Sequence, residues 1–424
     1  MKIIVSHVFS NDNKGDAALL SVLLRDMKMT FNNPEITILS IDKITTDETF
    51  DGYPVVNSLM FFALNRYQNR IIKFFYSFFV IFTTVVWAYI YKKTNIKVYL
   101  PSHLKVLVEL YSAADLVLPV GGGYMRGKPD ITSTILLFLL LHPFVLSRIL
   151  CKPTVIYPQS VGPFGNSIQK FLVSRVLKNV ELMFIREDVS VNLLKTLLID
   201  KNVVRTVDSG FAFNGDSALN LKQVLEISND NPIVGITVRK WMKKSNQDLY
   251  EKEMALFCEY IIANHNVNVV FIPQVTAVHH NDDDREVGQR VYNLMKIKTA
   301  AFVVAESYDH NIIKSIYSQL DFTVGTRFHS VIFSLTSNVP AIAIEYEHKT
   351  SGIMHDLNLG QWVIKIEDVT AEKLIALFKK MFDGRQEYVN DLTAIIPPYV
   401  KRTAEVPVLV KQIYEQSLIT KLSH

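Results

Sequence analysis

The sequence predicts an α/β protein built from two doubly wound, Rossmann-like domains that face a cleft, and two observations support this class. Short runs rich in β-branched residues alternate with helical patterns along nearly the whole chain. The alternation is interrupted by the polar, turn-rich residues 214–232, which indicate a crossing between domains. The 424 residues provide enough material for two domains with cores of their own.

The first domain is predicted to cover residues 1–215. Its strands are apolar runs such as MKIIVSHVF, ITILSID, KPTVIYPQS and ELMFI, and a helical pattern follows the first of them in NKGDAALLSVLLRDM. DLVLPVGGGYM is predicted to form a strand, a glycine loop and the start of a helix. This order of elements is typical of a mostly parallel sheet.

The second domain is predicted over residues 216–385, with a C-terminal helical tail over 386–424 that packs back on the domains. Its strands are IVGITVR, NVVFIPQV, AFVVAES, DFTVG and AIAIEY, and helical patterns separate them. In open α/β sheets, ligands collect at the carboxyl ends of the strands. Polar residues that directly follow strands are therefore the first candidates for a site.

Two apolar segments lie within the first domain. FFYSFFVIFTTVVWAYIY (74–91) carries no charge, and ITSTILLFLLLHPFVL (131–146) carries none if His142 is neutral. The first reaches the lower limit for a membrane-spanning helix, about 17 residues, but cations flank both of its ends and define no orientation. We predict a membrane-associating helical insertion over about residues 70–95 that lies in the headgroup layer. A buried core helix and a true span remain alternatives.

Composition narrows the classes of function. The chain has a net charge of +4 and no dense Lys/Arg tract, so nucleic acid is not a predicted partner. Two cysteines without a CxxC pair, and a first segment that soon turns polar, predict a cytoplasmic chain without a signal peptide. The residues from His279 to Asp284 are spaced as a polar loop rather than as a compact set of metal ligands.

Cations are concentrated among the residues that follow the predicted strands. The candidates from both halves are Asp16, Gly121, Gly122, Gly123, Gln159, Arg186, Arg239, Arg327, His329, Ser330 and Lys349. We expect them to converge on one cleft, whose charge would suit a small polyanion. Arg327 and His329 stand two apart in GTRFHS, where the apolar neighbours make an unpaired charge costly.

Several of these residues also have simpler explanations. The three glycines match neither GxGxxG nor a Walker sequence, so they can be a tight turn. Arg186 can form a surface ion pair, and Asp16 can cap the helix that begins AALL. His329 alone would be a structural histidine, but its place beside Arg327 favours a functional role.

An ordered set of short motifs resembles one known family. NKGDAAL, VLPVGGGYM, YPQSVGPF, FIREDVS, DSGFAF, GITVRKW, FIPQV and GTRFHSVIFSL, followed by PAIAIEYEHKTSGIMHDLNL, run in order from about residue 11 to about residue 360. With this set the chain resembles the polysaccharide pyruvyl transferase family, and GTRFHS is the most diagnostic motif. Residues 55–110, which contain the first apolar segment, are not covered by the resemblance.

The resemblance implies transfer of pyruvate from phosphoenolpyruvate to two hydroxyls of a sugar as a cyclic ketal, on a fold similar to the GT-B glycosyltransferases. It implies capsular or exopolysaccharide biosynthesis at the inner face of the cytoplasmic membrane, with a galactose or mannose acceptor carried on polyprenyl diphosphate. The membrane surface would then be a further partner. No step requires a cofactor or a metal.

The same resemblance suggests roles for the candidate residues. Arg327, Arg186 and Arg239 would bind the anionic donor. His329 would be the general acid, and Asp16 the general base on the acceptor. The remaining substrate-binding candidates are Gly121, Gly122, Gly123, Gln159, Ser330 and Lys349.

The sequence is also compatible with two other functions. A GT-B glycosyltransferase could hold the diphosphate of a nucleotide sugar with the glycine loop and a cation of the second domain. A non-catalytic membrane scaffold of a polysaccharide assembly complex is the other possibility. The presence of Arg327, His329 and Arg186 argues against the scaffold.

Overall fold

The computed structural model describes residues 1–422, without the side chains of Arg70, His280, His348 and residues 420–422. The chain divides into two compact units. Unit 1 comprises Met1–Asn11, Leu19–Ser209 and the chain from Arg402 onward, and unit 2 comprises Asp12–Ala18 and Gly210–Lys401. The crossing after Ser209 comes slightly earlier than the sequence predicted, and the C-terminal tail is shared between the units.

Unit 1 contains two four-stranded parallel sheets. Their strands are β1 (Lys2–Val8), β2 (Glu35–Ser40), β3 (Val55–Asn57), β4 (Leu116–Pro119), β5 (Gly122–Gly127), β6 (Val155–Phe164), β7 (Leu182–Ile185) and β8 (Val203–Arg205). The orders are β3-β2-β1-β4 and β5-β6-β7-β8, and a parallel bridge between Val117 and Thr154 joins β4 to the start of β6.

The expected glycine loop is a strand instead. Gly122 and Gly123 open β5, and the next helix begins only at Ile131. Gly122 has a φ of 146°, which a side chain would disfavour, and the carbonyl oxygen of Pro158 occupies the space that a side chain at Gly121 would need. Gly121 and Gly122 therefore let the chain leave β4 and run beside β6.

The helices of this half alternate with the strands as predicted. They are α1 (Lys14–Thr30), α2 (Lys43–Thr49), α3 (Leu59–Asn65), α4 (Arg70–Thr94), α5 (Ser102–Ala113), α6 (Ile131–Ile149), α7 (Ser167–Leu177) and α8 (Asp188–Thr196). Side chains that accept hydrogen bonds from the first turn define several of their starts, as Asn69 does for α4 and Asp130 for α6. The first residues of α1, to Ala18, belong to unit 2.

Unit 2 is built around a single six-stranded parallel sheet. Its strands are β9 (Ile233–Thr237), β10 (Asn268–Phe271), β13 (Ala301–Val303), β14 (Phe322–Gly325), β15 (Ala341–Glu345) and β16 (Val363–Lys365), and a small antiparallel pair is formed by β11 (Thr276–Ala277) and β12 (Asp282–Asp283). The order β13-β10-β9-β14-β15-β16 reverses direction between β9 and β14. This is the Rossmann order, in which such a reversal is where ligands bind.

Helices connect these strands and continue into the tail. They are α9 (Leu221–Val224), α10 (Lys244–His265), α11 (Asp284–Leu294), α12 (His310–Tyr317), α13 (Phe328–Leu335), α14 (His348–Asp356), α15 (Ala371–Asp383), α16 (Arg385–Thr403) and α17 (Glu405–Leu422). In unit 2 the Tyr388 hydroxyl of α16 donates to the carbonyl of Ala341. In unit 1, Tyr414 of α17 packs edge-on against Phe31.

The two apolar segments form α4 and α6, both long and apolar enough to cross a membrane. One face of α4 packs into the core of unit 1 through Val80, Trp87 and Ala88. Its opposite face leaves large apolar side chains exposed, among them Phe75 and Phe82. The α4 helix is thus neither a fully buried core helix nor detached from the domain, and both helices are candidates for membrane association.

Candidate active site

The GTRFHS motif lies at the carboxyl end of β14, next to β9, where the strand order of unit 2 reverses. Gly325 ends the strand, and α13 begins at Phe328. The backbone N–H of Thr326 donates to the Thr237 hydroxyl at the end of β9, 2.9 Å away. This bond ties the turn to the neighbouring strand and fixes the two side chains that follow it.

Arg327 is held by two aspartates. Its Nε and Nη2 donate to Asp284, with an Nη2–Oδ1 distance of 2.6 Å, and its Nη1 donates to Asp282 at 3.3 Å. Burial by itself would lower the pKa of Arg327, but the two carboxylates outweigh that effect and raise it. The Asp284 side chain is 2% exposed and that of Asp282 is 34% exposed. Asp284 thus pairs with Arg327 away from solvent, whereas Asp282 is partly exposed to it.

Arg239 lies after the end of β9, between two aromatic rings. Its guanidinium carbon is 4.3 Å from the ring centroid of Tyr346 and 4.9 Å from that of Trp241. Its Nη2 is 3.7 Å from Asp282, and within the described residues its buried Nε has no hydrogen-bond acceptor. This guanidinium therefore retains donor capacity that the protein itself does not use.

Lys349 completes the group of cations predicted in this half of the chain. Its Nζ is 3.0 Å from Glu347 and within 6 Å of the ring centroids of Phe328 and Tyr346. Burial would raise the pKa of Tyr346, yet Lys349 and Arg239 lower it below its ordinary value. The field at the Tyr346 hydroxyl is therefore positive, although carboxylates lie close to all three cations.

His329 packs against the start of α1. Gly15 approaches it so closely that a Cβ built on Gly15 would lie 2.8 Å from the His329 Cβ. The chain before α1 is fixed to unit 2 because the Lys14 N–H donates to the Gln274 carbonyl and Asn13 bridges to Val275. The segment Asp12–Ala18 thereby brings Asp16, one residue from Gly15, into the neighbourhood of His329.

Asp16 is half-buried in the first turn of α1, and its Oδ2 accepts a hydrogen bond from the Asn13 amide at 2.8 Å. A carboxylate in the first turn suits the helix dipole. The helix thus begins two residues before Asp16, so Asp16 does not occupy the predicted N-cap position. Its role as a base remains a prediction.

Gln274, which also follows a predicted strand, lies next to these residues. It is 1% exposed, and within residues 1–422 neither atom of its side-chain amide has a hydrogen-bond partner. Its backbone N–H donates to Asp284, the partner of Arg327. A buried amide without partners is costly unless a ligand or water satisfies it. The sequence signal was its place directly after a strand, in FIPQV.

Two predicted residues have structural surroundings instead. Arg186 is 1% exposed and is enclosed in unit 1 by Asp208, with its Nε donating to the Ser160 hydroxyl at 2.8 Å. Its charge is balanced by a buried carboxylate, so it is not the surface ion pair that the sequence also allowed, and its role in binding a ligand remains a prediction. The Ser330 hydroxyl is fully buried and bonds Thr237 and the Arg327 carbonyl, so it stabilises the turn that carries Arg327.

Gln159 and the three glycines lie in unit 1. Gln159 pairs with Gly122 across β5 and β6 and is completely buried. Both atoms of its side-chain amide lack a hydrogen-bond partner within the described part of the chain. Like Gln274, it is a polar side chain whose hydrogen-bonding capacity the protein leaves unused.

Two acidic residues of the polar segment 279–284 bind Arg327. Asp282 and Asp284 both bond the guanidinium of Arg327. Their spacing two residues apart allows this shared contact, but the sequence alone does not show it. Over residues 1–422, leaving out the undescribed side chains, no three His, Cys, Asp or Glu residues are placed to hold a metal ion.

Comparison with solved structures shows the fold. The chain is similar to a putative UDP-N-acetylglucosamine 2-epimerase from Listeria monocytogenes, with 12% identity, a TM-score of 0.62 and coverage of 98% of this chain and 97% of that one. It is also similar to a glycosyltransferase from Rickettsia africae ESF-5, with 13% identity, a TM-score of 0.57 and 98% of both chains covered. These similarities, with the parallel sheets and their strand order, confirm the predicted α/β fold of the GT-B type.

Sequence comparison gives the family. The amylovoran biosynthesis protein AmsJ of Erwinia amylovora is 24% identical over 416 residues, which cover 91% of this chain and 93% of that protein. The sequence model described as polysaccharide pyruvyl transferase matches residues 13–348, a range that includes the residues around Arg327 and His329. Since that match spans well over half of the chain, the protein belongs to the polysaccharide pyruvyl transferase family and is an enzyme of this kind.

Proposed function

We propose that the enzyme transfers pyruvate from phosphoenolpyruvate to two hydroxyls of a sugar, with the site of unit 2 binding the donor. The observation that carries this proposal is the convergence of Arg239, Arg327, Lys349 and His329 after β9, β14 and β15. Phosphoenolpyruvate has a carboxylate and a phosphate close together. Such a ligand needs two or three cations with fixed geometry.

Asp282 and Asp284 differ in burial, and this difference explains how Arg327 can bind the donor. Asp284 holds the Arg327 guanidinium in place from the buried side, while the half-exposed Asp282 bonds the same guanidinium and approaches Arg239. An incoming phosphate or carboxylate displaces Asp282 and takes its hydrogen bonds. The positive field at Tyr346 favours the same anion.

The reaction requires that one carbon of phosphoenolpyruvate is protonated and that two hydroxyls of the sugar can reach its neighbour. His329 protonates the methylene carbon of phosphoenolpyruvate, and the neighbouring carbon becomes oxocarbenium-like. The first sugar hydroxyl attacks that carbon and loses its proton to a base, for which we propose Asp16. The bond to phosphate then breaks, the second hydroxyl closes the ketal, and its proton leaves with inorganic phosphate.

We propose that Gln159 and Gly121–Gly123 of unit 1 serve the sugar, since the buried Gln159 amide has no protein partner in the described chain and the glycines carry no side chains. A galactose or mannose on a polyprenyl diphosphate carrier is the proposed acceptor. The name of the Erwinia amylovora relative, an amylovoran biosynthesis protein, supports capsular or exopolysaccharide synthesis as the setting.

We also propose that the enzyme is cytoplasmic and peripheral on the inner face of the membrane. The exposed aromatic face of α4, with Phe75 and Phe82 about two-thirds exposed, supports this location. Replacing Phe75, Phe78 and Phe82 with serine should release the protein from membrane fractions. Retention of the triple variant, or a wild-type protein found entirely in the soluble fraction, contradicts the location.

The decisive assay supplies purified enzyme with phosphoenolpyruvate and a panel of galactose- and mannose-bearing acceptors. Phosphate release together with acceptor mass gained as a pyruvate ketal supports the proposal. We expect His329→Ala to lose most turnover while still binding phosphoenolpyruvate, and Arg327→Ala to lose binding. Full turnover in His329→Ala would remove the proposed acid.

The structural neighbours support one alternative, a glycosyltransferase that uses a nucleotide sugar. The Rickettsia africae protein is described as a glycosyltransferase, and the strand order of unit 2 is the one associated with nucleotide binding. Release of a nucleoside diphosphate from a sugar nucleotide in the same assay, without consumption of phosphoenolpyruvate, would favour this alternative.

A further inference from the structure

An apolar groove lies in unit 1 between α4, α6 and α7. It has a volume of about 350 Å³, and Phe78, Phe82, Phe138, Leu141 and Leu172 are among the side chains that line it. Its only titratable lining residue, His142, is neutral near pH 7 because burial lowers its pKa to about 4. The groove is therefore uncharged, and it opens beside the exposed face of α4.

The groove continues into a basic recess. Val145 and Val176 line both cavities, and the recess of about 520 Å³ adds Lys92, Lys93, Arg148 and Arg175. These four cations come from the last turns of the three helices that form the groove, and none of the described residues that line the recess is acidic. Within residues 1–422, none of the four has a carboxylate at ion-pair distance.

Charge complementarity indicates what fits this combined cavity. Cations in a last turn also stabilise their helices, but that effect explains neither their convergence on one recess nor the apolar groove that continues from it. A ligand that matches both parts has a hydrocarbon chain joined to a phosphate. The exposed aromatic stripe on α4 places such ligands within reach if that face lies on a bilayer.

We propose that this cavity binds an anionic membrane phospholipid, with one acyl chain in the groove between Phe82 and Leu172 and the phosphate among Lys92, Lys93, Arg148 and Arg175. Lipid binding here is independent of pyruvyl transfer, so the two proposals fail separately. The four cations of this site add selectivity for anionic membranes to the weak hydrophobic contact that α4 makes.

The test is cosedimentation of the full-length protein with vesicles of phosphatidylcholine alone, with added phosphatidylglycerol, and with isoprenyl phosphate at equal charge. We expect wild type to bind the phosphatidylglycerol vesicles at least tenfold more tightly than phosphatidylcholine. Arg148→Gln/Arg175→Gln should bind them about 30-fold more weakly than wild type, from the loss of two cations near the surface. The matched control Lys195→Gln/Lys201→Gln removes two exposed cations of unit 1 that do not line the recess, and it should bind several-fold more tightly than the arginine pair.

A second variant, Leu172→Trp, fills the groove without changing charge and should also weaken binding. Unchanged melting temperatures would show that the variants are folded. Equal binding to both phospholipid vesicles, or equal losses in the arginine and lysine pairs, would overturn the proposal. Binding that requires isoprenyl phosphate, with none to phosphatidylglycerol, would also overturn it and assign the cavity to the acceptor's lipid.

Discussion

Gly15→Ala is the change that most directly tests the placement of His329. The added Cβ would lie 2.8 Å from the His329 Cβ, whereas ordinary contact begins at 3.4 Å, so the two must separate by at least 0.6 Å (3.4 minus 2.8). Rotation of the imidazole cannot relieve this contact because the Cβ is fixed to the backbone. The start of α13 or of α1 must therefore move.

The expected effect is on turnover rather than on folding. A misplacement near 1 Å can cost about 100-fold in rate, so we expect kcat to fall roughly 10- to 100-fold with the KM for phosphoenolpyruvate nearly unchanged. Overpacking should lower the free energy of unfolding by about 1–3 kcal/mol, partly offset by the better helix propensity of alanine, by up to ~1 kcal/mol.

Gly288→Ala is the matched control. Gly288 is also a buried helical glycine, but its nearest neighbour, the Phe271 Cβ, lies 3.4 Å from a built Cβ, which is ordinary contact. We expect unchanged kcat and slightly higher stability in this variant. Steady-state phosphate release and urea unfolding measure both variants. A Gly15→Ala enzyme with wild-type kcat would refute the claim that His329 works from the position seen against Gly15.

Three further predictions address charge and pH. Asp282→Asn should lower the KM for phosphoenolpyruvate about fivefold, since a partly exposed ion pair contributes on the order of 1 kcal/mol. Asp284→Asn should instead lower the free energy of unfolding by about 3 kcal/mol. A raised KM in Asp282→Asn would contradict the proposal that Asp282 competes with the donor while Asp284 stabilises the fold. Arg186→Met should lower the free energy of unfolding in urea by about 3–5 kcal/mol, because it leaves a buried carboxylate without its partner. A folded variant with a large rise in KM would instead support a role of Arg186 in binding the ligand. Burial lowers the pKa of His7 and His142 to about 4, so the unfolded chain takes up protons first as pH falls below about 6.5. Each histidine should therefore lower the free energy of unfolding by about 2 kcal/mol by pH 5. A His142→Gln variant whose stability has the wild-type dependence on pH would contradict the lowered pKa of His142.

Much of the fold is readable in the sequence because its patterns are local. Alternating β-branched runs and helical periodicity require only neighbours along the chain, and they predicted five strands of the unit 2 sheet but not β16 or the short pair β11 and β12. The motif around Arg327 was recognisable for the same reason, since a charge between apolar runs is itself a signal. The glycine loop failed because GGG permits either a turn or a strand, and contact with Pro158 selects the strand.

Charge partners could not be found in this way. Arg186 and Arg327 look alike in sequence, yet one is enclosed by Asp208 and the other shares a half-exposed carboxylate. Likewise, the packing of Gly15 against His329 joins residues more than three hundred positions apart. Residue types and periodicity determine which elements form and which side chains are unusual, because these properties are carried by short stretches. Whether an ionic group is neutralised, and whether the aromatic face of α4 is covered, depends on contacts distant in sequence, and only the tertiary structure decides them.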